Sequence, residues 1–230
     1  MYLYGLETIG TLLLSIIGFG AVLFAQFRIN SAYSKYKKIV SKGNLSGCEV
    51  ARKILDANGL NDIHVVEVKG ELTDHYDPKR KVVRLSTDIF HGSTIAAISV
   101  AAHECGHAIQ DKENYTFMRI RSALVPVVNF VSYIGYFISA FALFIGVIGY
   151  LKIGIIVLLA TILFQLVTLP VEFDASNRAK KIINELNLAN QEEQVGVEAM
   201  LSAAAFTYVA GVINTLLQMI QLLLRARDRD

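Results

Sequence analysis

The sequence predicts a multi-pass α-helical membrane protein that carries a small α+β domain. Of its 230 residues, 53% are hydrophobic, and the mean hydropathy is +0.45. Such a composition is too apolar for an ordinary soluble protein of this length. Long uncharged segments lie on both sides of a polar segment, in which a helical pattern is followed by short alternating runs typical of strands. These observations favour membrane helices around one small mixed domain.

The first element is an uncharged segment from Thr8 to Phe27. A helix needs roughly 20 residues to cross about 30 Å of hydrocarbon, so the segment predicts a transmembrane helix over residues 8–27. A cleaved signal peptide would begin with basic residues and end at a small-residue cleavage site. Because Glu7 precedes the segment and Arg28 follows it, we expect this helix to be retained in the protein.

Basic residues are concentrated directly after this first span. Lys and Arg close to a span favour the cytoplasmic side, and they also suit contact with lipid headgroups. We therefore predict a cytoplasmic domain over residues 28–121 and an N-terminus on the outer side. The basic residues are Arg28, Lys35, Lys37, Lys38 and Lys42.

Within that domain, residues from about 43 to 110 are predicted to form an α+β unit. A helix through GCEVARKILDANG ends at Gly59, and two strand candidates, HVVEVKG and VVRLS, follow it. Asp77-Pro78 lies between the strand candidates and favours a turn, so we predict that they form a hairpin. VVRLS is the candidate edge strand, to which an extended peptide can add through main-chain hydrogen bonds. A core strand is the alternative interpretation.

The motif with the clearest chemistry is His103-Glu-Cys-Gly-His107, within AAHECGHAIQ. Residues four apart lie on one face of a helix, so both imidazoles can reach one metal ion with Glu104 beside them. In this H-E-x-x-H arrangement the histidines bind Zn²⁺ and the glutamate acts as a general base in hydrolysis. Ser93 is the predicted N-cap of the motif helix. The alternative is two ordinary core histidines beside a solvated carboxylate, three polar groups that would each need a separate partner on an apolar helix.

Two further uncharged segments follow the motif helix, at residues 122–151 and 153–171, and only Lys152 separates them. Their lengths predict a transmembrane hairpin over residues 122–171, which returns the chain to the cytoplasmic side. A helix is predicted next, over residues 172–196. Its basic residues also favour the cytoplasm; they are Arg178, Lys180 and Lys181.

The last apolar segment predicts a fourth membrane or membrane-packed helix over residues 197–224, followed by a charged tail over residues 225–230. Four spans would place the tail outside, although its arginines favour the cytoplasm. A re-entrant or protein-packed last helix would remove this conflict. Several residues make this segment less apolar than the other spans: Gly211, Asn214, Gln218 and Gln221.

A catalytic zinc ion usually has three protein ligands and one open position. The extended H-x-x-G-x-x-H form of the motif is excluded, because Gln110 and Glu113 stand where Gly and His would be required. Glu172 is the best candidate for the third ligand, since a carboxylate directly after an apolar span is unusual without a role. Pro170 can open the helix that carries it. The competing candidates are Glu113, Asp111, Asp174, His75 and His91.

Five segments carry a resemblance to a known family: DHYDP, VVRLS, AAHECGHAIQ, LPVEFDASNRA and AAAFTYVAG. Over nearly its whole length the chain resembles the YugP-like membrane zinc metallopeptidases, a neutral zinc metallopeptidase family. More remotely, it is similar to the HtpX and CAAX prenyl protease group, in which membrane spans separate H-E-x-x-H from a glutamate in E-x-x-x-D. The resemblance implies a zincin-like (gluzincin) metallopeptidase domain on the cytoplasmic side.

The resemblance also implies roles for individual residues. Glu104 would be the base, and the Zn²⁺ ligands would be His103, His107 and Glu172. The chain departs from the remote group at Ser176, where that group has the aspartate expected to orient a zinc-bound histidine. Asp174 or Asn177 would then take over this role.

We therefore expect an integral-membrane zinc endopeptidase that hydrolyses membrane or membrane-proximal proteins at the cytoplasmic face of the cell membrane. Such an enzyme needs a donor that stabilises the oxyanion. His75 is the nearest candidate for this catalytic role; the alternative interpretation is that His75 is a plain turn residue. The other candidates are Tyr76, Arg178 and Tyr208.

The partners of this enzyme would be protein or peptide substrates and the lipid bilayer, and self-association or a membrane-protein partner is left open. The net charge of +2 and the lack of a basic stripe interleaved with aromatic residues argue against nucleic acid as a partner.

Two other functions compete with this one. A proteolytically inactive scaffold or adaptor would use zinc for stability, but closed structural zinc sites usually have four ligands and are often rich in Cys. Cys48 and Cys105 are the only cysteines, and neither is spaced as a ligand. A transporter would show charges or broken helices inside its spans, and these spans have few. Replacement of Glu104 would distinguish an enzyme from a scaffold, because it would remove the base of an enzyme but would not impair an inactive scaffold.

Overall fold

The computed structural model describes residues 2–144 and 150–227. Residues 145–149, within the first uncharged segment of the predicted hairpin, and residues 228–230, at the end of the predicted charged tail, lie outside the described residues. The described helices and strands are, in chain order, α1 (Tyr2–Tyr36), α2 (Gly47–Ala57), β1 (His64–Val68), β2 (His75–Asp77), β3 (Val82–Ser86), α3 (Thr87–His91), α4 (Ile95–Lys112), α5 (Thr116–Phe144), α6 (Tyr150–Glu185) and α7 (Gln191–Arg227).

The chain divides into two compact units. The first, which we call the apolar unit, comprises Met1–Gln26, Ile120–Leu169 and Thr207–Asp230. The second, which we call the motif unit, comprises Phe27–Arg119 and Pro170–Phe206. The motif unit contains the sheet and the H-E-x-x-H helix.

Four of the described helices are long and apolar enough to cross a membrane. The candidate spans are Ile9–Tyr36 in α1, Thr116–Gly135 in α5, Ile153–Glu185 in α6 and Gln191–Leu224 in α7. Large apolar side chains along them are exposed, among them Phe19, Phe130 and Leu163, as expected for side chains that face lipid rather than water. The protein is therefore mostly helical, with candidate membrane helices and one small sheet.

Within the apolar unit, polar residues of α7 have partners on α1. The Gln221 side chain donates hydrogen bonds to Ser15 Oγ at 3.1 Å and to the Thr11 carbonyl oxygen at 3.3 Å. Gly18 of α1 lies so close to α7 that a Cβ atom on Gly18 would stand 2.7 Å from Asn214 Oδ1. Small residues and interhelical hydrogen bonds of this kind hold helices together in an apolar environment. Asn214 and Gln221, two of the residues that make α7 less apolar than the other spans, thus lie at its contact with α1.

The sheet of the motif unit has the strand order β1-β3-β2. β1 pairs with β3 in parallel, and β2 pairs with β3 in the antiparallel direction. The predicted hairpin between HVVEVKG and VVRLS is therefore wrong. The Asp77 turn joins β2 to β3 instead, because the Asp77 side chain accepts hydrogen bonds from the backbone N–H groups of Lys79 and Arg80.

β3 is the central strand, so the prediction of VVRLS as an edge strand is wrong, and the alternative of a core strand is confirmed. Val83 and Leu85 are fully buried, and they belong to one core with Ile54 of α2 and Ala101 of α4. A central strand has neighbours on both sides, so it cannot take an added strand. The edges of this sheet are β1 and β2.

Polar caps start the two main helices of the motif unit. A capping box at Ser46 starts α2, and Gly59, with a φ of +64°, follows the end of this helix. Thr94 caps α4, because its Oγ1 atom accepts a hydrogen bond from the Ala97 backbone N–H at 3.2 Å. The prediction of Ser93 as this cap is wrong by one residue.

α6 is one continuous helix that contains Pro170. The prediction that Pro170 opens a new helix is therefore wrong. A proline inside a helix removes one backbone hydrogen bond, but packing retains the helix here, since Val171 and Ala175 are fully buried. Glu172 consequently lies inside a long helix whose preceding segment is apolar.

Candidate metal centre

Three side chains of types that can bind a metal ion converge in the motif unit. His103 and His107 lie on α4 and Glu172 lies on α6, and their ligand atoms are all within 4.8 Å of one another. The Nε2 atoms of His103 and His107 lie 3.3 Å and 3.5 Å from Glu172 Oε2. The four-residue spacing of the histidines thus places both imidazoles against a single carboxylate oxygen.

This group is largely removed from water. The exposed fraction of Glu172 is 2%, and that of His107 is 7%. Burial of a carboxylate and imidazoles costs free energy unless they have partners. Two imidazole nitrogens and one carboxylate oxygen are also the donors that many catalytic zinc sites take from the protein. The residues present therefore fit a zinc ion.

The competing candidates for the third ligand make other contacts. Asp174 and Glu113 are paired with Arg178. The remaining contacts are those of Asp111 with Tyr76 and Lys81, of His91 with Glu67, and of His75 with the Thr73 carbonyl oxygen. Among the residues that the structure describes, only the group of His103, His107 and Glu172 has the spacing of metal ligands.

The close approach of α4 and α6 depends on Gly106, in the middle of the motif. A Cβ atom on Gly106 would stand 2.7 Å from the Ala175 carbonyl oxygen and 3.2 Å from the Ala175 Cα atom. Cβ atoms essentially never lie so close to a backbone oxygen, so position 106 requires a residue without a side chain. Ala175 lies about one turn after Glu172. The contact therefore brings Glu172 within reach of the two histidines.

Comparison with known proteins assigns the chain to a family. The family model described as "Putative neutral zinc metallopeptidase" matches residues 11–227. The chain belongs to this neutral zinc metallopeptidase family. It is also 44% identical over 220 residues to "Putative membrane protease YugP" of Bacillus subtilis (strain 168), a match that covers 94% of this chain and 98% of the relative. No solved structure gives a significant match.

In this member of the neutral zinc metallopeptidase family, each motif histidine has a neighbour at its second ring nitrogen. His107 Nδ1 lies 3.0 Å from Gln110 Oε1, and His103 Nδ1 lies 3.3 Å from Ser176 Oγ. Ser176 itself therefore lies where the orienting residue was expected. The two residues considered as substitutes for it are placed differently: Asp174 binds Gln110 and Arg178, and Asn177 is exposed.

Gln110 is the site residue that the sequence did not reveal. In the sequence analysis, Gln110 serves only to exclude the extended H-x-x-G-x-x-H form of the motif. In the structure its side chain is completely buried and contacts both His107 and α6. The signal that points to it is its spacing of three residues from His107, which places both residues on one face of a helix.

Glu104 is buried beside the candidate ligands. Its exposed fraction is 7%, and the nearby backbone N–H of Tyr76 in β2 favours the ionised form of its carboxylate. Burial raises the pKa of Glu104 to about 7, although positive charge on His103 acts in the opposite direction. Glu104 thus lies near the edge strand β2 as well as beside His103.

The candidate oxyanion donors lie in different settings. His75 is exposed, and its Nδ1 atom lies 2.8 Å from the Thr73 carbonyl oxygen, so its catalytic role stays a prediction. The Tyr76 hydroxyl and the Arg178 guanidinium both donate to carboxylates. Tyr208 belongs to the apolar unit.

Proposed function

We propose that this protein is an integral-membrane zinc-dependent endopeptidase that hydrolyses peptide bonds of membrane or membrane-proximal proteins at the cytoplasmic face. One observation carries the proposal: the ligand atoms of His103, His107 and Glu172 lie within 4.8 Å of one another, with the buried carboxylate of Glu104 beside them. The family and the printed name of the Bacillus relative support the same reaction class. The domain would be zincin-like, of the gluzincin type, because its third ligand is a glutamate.

His103, His107 and Glu172 would hold the zinc ion. When bound, the ion supplies Lewis-acid chemistry, which acidifies water and polarises the scissile carbonyl group. The chain itself must supply proton transfer, oxyanion stabilisation and alignment of the peptide. The motif unit has a candidate group for each of these tasks.

Proton transfer is assigned to Glu104. A general base must lie within hydrogen-bonding reach of the water that it deprotonates, and Glu104 directly follows His103 on the ligand-bearing helix. The nearby Tyr76 backbone N–H favours the ionised carboxylate, which is the form that accepts the proton. The deprotonated water attacks the carbonyl carbon. The protonated Glu104 carboxyl group then gives its proton to the leaving amine nitrogen, which returns Glu104 to its ionised form.

Alignment of the peptide is assigned to β2. It is an edge strand of the sheet, and its residue Tyr76 lies near Glu104. A strand edge holds an extended peptide through main-chain hydrogen bonds, which depend little on the peptide's sequence. A substrate strand at β2 would lie beside the general base. His75, on the same strand, is the candidate oxyanion donor.

The membrane location and the cytoplasmic orientation have separate support. The four candidate spans and the membrane-protease relative support a multi-pass protein of the cell membrane. Basic residues directly after the first span and around residues 178–181 favour the cytoplasm for the motif unit. Substrates in or near the membrane are favoured because Glu172 lies on the same continuous helix as an apolar candidate span.

Replacement of the base tests the proposed function. Glu104→Gln keeps the size of the side chain but removes its ability to accept a proton, so membranes that contain this variant should accumulate uncleaved substrate proteins in quantitative proteomics. The matched control is Glu185→Gln, which changes an exposed glutamate that pairs with Lys181. If the membrane proteome of Glu104→Gln equals those of wild type and of the control, the protease proposal fails and the scaffold becomes the better interpretation.

A further inference from the structure

We propose that Gln110 is a positioning residue that fixes the tautomer of His107 and links this ligand to the helix that carries Glu172. The inference rests on the proposed function, because it assigns Gln110 a role toward the zinc site. It concerns a residue outside the H-E-x-x-H motif and follows from one buried side-chain amide and its contacts.

The Gln110 amide makes three hydrogen bonds in a fully buried position. Its Oε1 atom lies 3.0 Å from His107 Nδ1 on the same helix. Its Nε2 atom donates to the Val171 carbonyl oxygen at 2.8 Å and to Asp174 Oδ2 at 2.8 Å, both on α6. The two acceptors flank Glu172 in the sequence. One amide therefore contacts a candidate ligand on α4 and the backbone next to a candidate ligand on α6.

These contacts determine which way the amide points. A carbonyl oxygen and an ionised carboxylate can only accept hydrogen bonds, so the Gln110 NH₂ group must face Val171 and Asp174. The reversed amide would place its oxygen against two acceptors in a buried site, which is costly. The Gln110 oxygen must consequently face His107.

The orientation of the amide fixes the proton on the imidazole. Because Gln110 Oε1 can only accept, neutral His107 must carry its proton on Nδ1. The lone pair then lies on Nε2, the nitrogen that faces Glu172 at 3.5 Å. A histidine binds a metal through an unprotonated nitrogen, so a proton held on Nδ1 by Gln110 leaves Nε2 as the nitrogen that would bind the metal.

A wider network anchors the amide. Arg178 Nε donates to Asp174 Oδ2 at 2.5 Å, and Arg178 also pairs with Glu113, directly after the end of α4, at 2.7 Å. The contacts thus run from His107 through Gln110, Asp174 and Arg178 to Glu113, which directly follows α4. They hold the His107 ring in a fixed position relative to α6.

Three variants test this role. Gln110→Met keeps a side chain of similar length but removes all of its hydrogen bonds. Gln110→Glu keeps an acceptor for His107 but sets a carboxylate against Asp174 and the Val171 carbonyl oxygen. Gln110→Glu combined with Asp174→Asn exchanges the amide and the carboxylate, so a donor again faces an acceptor. The matched control is Gln194→Met, which removes an amide hydrogen bond to Asn184 elsewhere in the motif unit.

Zinc affinity, measured by chelator competition on purified full-length protein, is the first readout. Loss of a residue that orients a metal ligand typically weakens metal binding by about 10–100-fold. We expect this loss in Gln110→Met and in Gln110→Glu, at least a partial recovery in the double variant, and wild-type affinity in Gln194→Met. Wild-type affinity in Gln110→Met would overturn the inference, and so would a double variant no better than Gln110→Glu.

The second readout is the ¹⁵N spectrum of His107 in the zinc-loaded wild-type protein, which does not depend on any variant folding. A signal for a protonated Nδ1 and a zinc-bound Nε2 is expected, and zinc bound through Nδ1 would overturn the inference. If wild type binds zinc but the Gln110 variants bind it equally well, this inference fails while the proposed function stands. If wild type binds no zinc, the proposed function fails, and this inference fails with it.

Discussion

Gly106 of α4 and Ala175 of α6 are in backbone contact: a Cβ atom on Gly106 would stand 2.7 Å from the Ala175 carbonyl oxygen. The contact joins the middle of the H-E-x-x-H motif to the turn of α6 that follows Glu172. Because the obstacle is backbone and not the end of a flexible side chain, no rotamer change can relieve it. The distance between the two halves of the candidate metal centre therefore depends on the absence of a side chain at position 106.

Gly106→Ala should destabilise the protein and weaken its zinc binding. Alanine favours a helix over glycine by up to about 1 kcal/mol, but overpacking a dense core costs about 1–3 kcal/mol, and here it also pushes Glu172 away from the histidines. Thermal unfolding in detergent and zinc content per chain measure the two effects. Gly20→Ala is the control, since a Cβ atom on Gly20 has nothing within 4 Å; equal effects of both substitutions would contradict this account.

His75→Ala should lower kcat if His75 donates to the oxyanion. Removal of one such donor costs about 10²–10³-fold in kcat, and zinc content should stay unchanged because His75 is not one of the three converging candidate ligands. Tyr76→Phe is the matched control on the same strand. Its hydroxyl is bound to Asp111, so we expect a loss of about 1 kcal/mol in stability with nearly normal kcat. If Tyr76→Phe lowered kcat and His75→Ala did not, the donor role would belong to Tyr76 instead.

Gln221→Leu should weaken the packing of α7 on α1. The substitution removes the hydrogen bonds to Ser15 and Thr11, and interhelical hydrogen bonds in membranes contribute about 0.6 kcal/mol on average and up to about 1.7 kcal/mol. Unfolding in mixed micelles measures the change. Gln218→Leu is the control, because Gln218 is exposed on the same helix. A larger loss of stability in Gln218→Leu would contradict the assigned packing.

The motif unit should be accessible only from the cytoplasm. Lys53 and Lys181 are exposed, one on α2 and one on α6, and suit single replacement by cysteine in a Cys48→Ser background; Cys105 is fully buried. Both cysteines should resist a membrane-impermeant thiol reagent in intact cells and react after permeabilisation. Labelling of either position in intact cells would show that the proposed orientation is wrong.

The sequence predicts those parts of the site that depend on local spacing. Helical periodicity suffices to bring His103 and His107 together, and the carboxylate after an apolar span points to Glu172. The sequence does not predict features that depend on packing between distant segments. The amide of Gln110 reaches α6 only because Gly106 lets the two helices approach, and neither contact has a local signature.

The order of the strands in the sheet likewise depends on contacts that have no local signature in the sequence. The sequence predicts the turn at Asp77 but not the short strand β2 before it, since three residues carry too little periodicity. Without β2 in the sheet, β3 is predicted to be an edge strand. The position of a strand in a sheet depends on the elements that bury it, and β3 is buried by α2 and α4, which are separate segments of the chain.

Metal analysis of purified variants tests the central claim most directly. Zinc per chain is measured for wild type, His103→Ala, Glu172→Ala and Glu104→Gln. The first two substitutions remove ligands and the last removes only the base, so wild type and Glu104→Gln should each hold about one zinc ion per chain, while His103→Ala and Glu172→Ala should hold little. Full zinc occupancy in Glu172→Ala would contradict the account, because the third ligand would then have to be another residue.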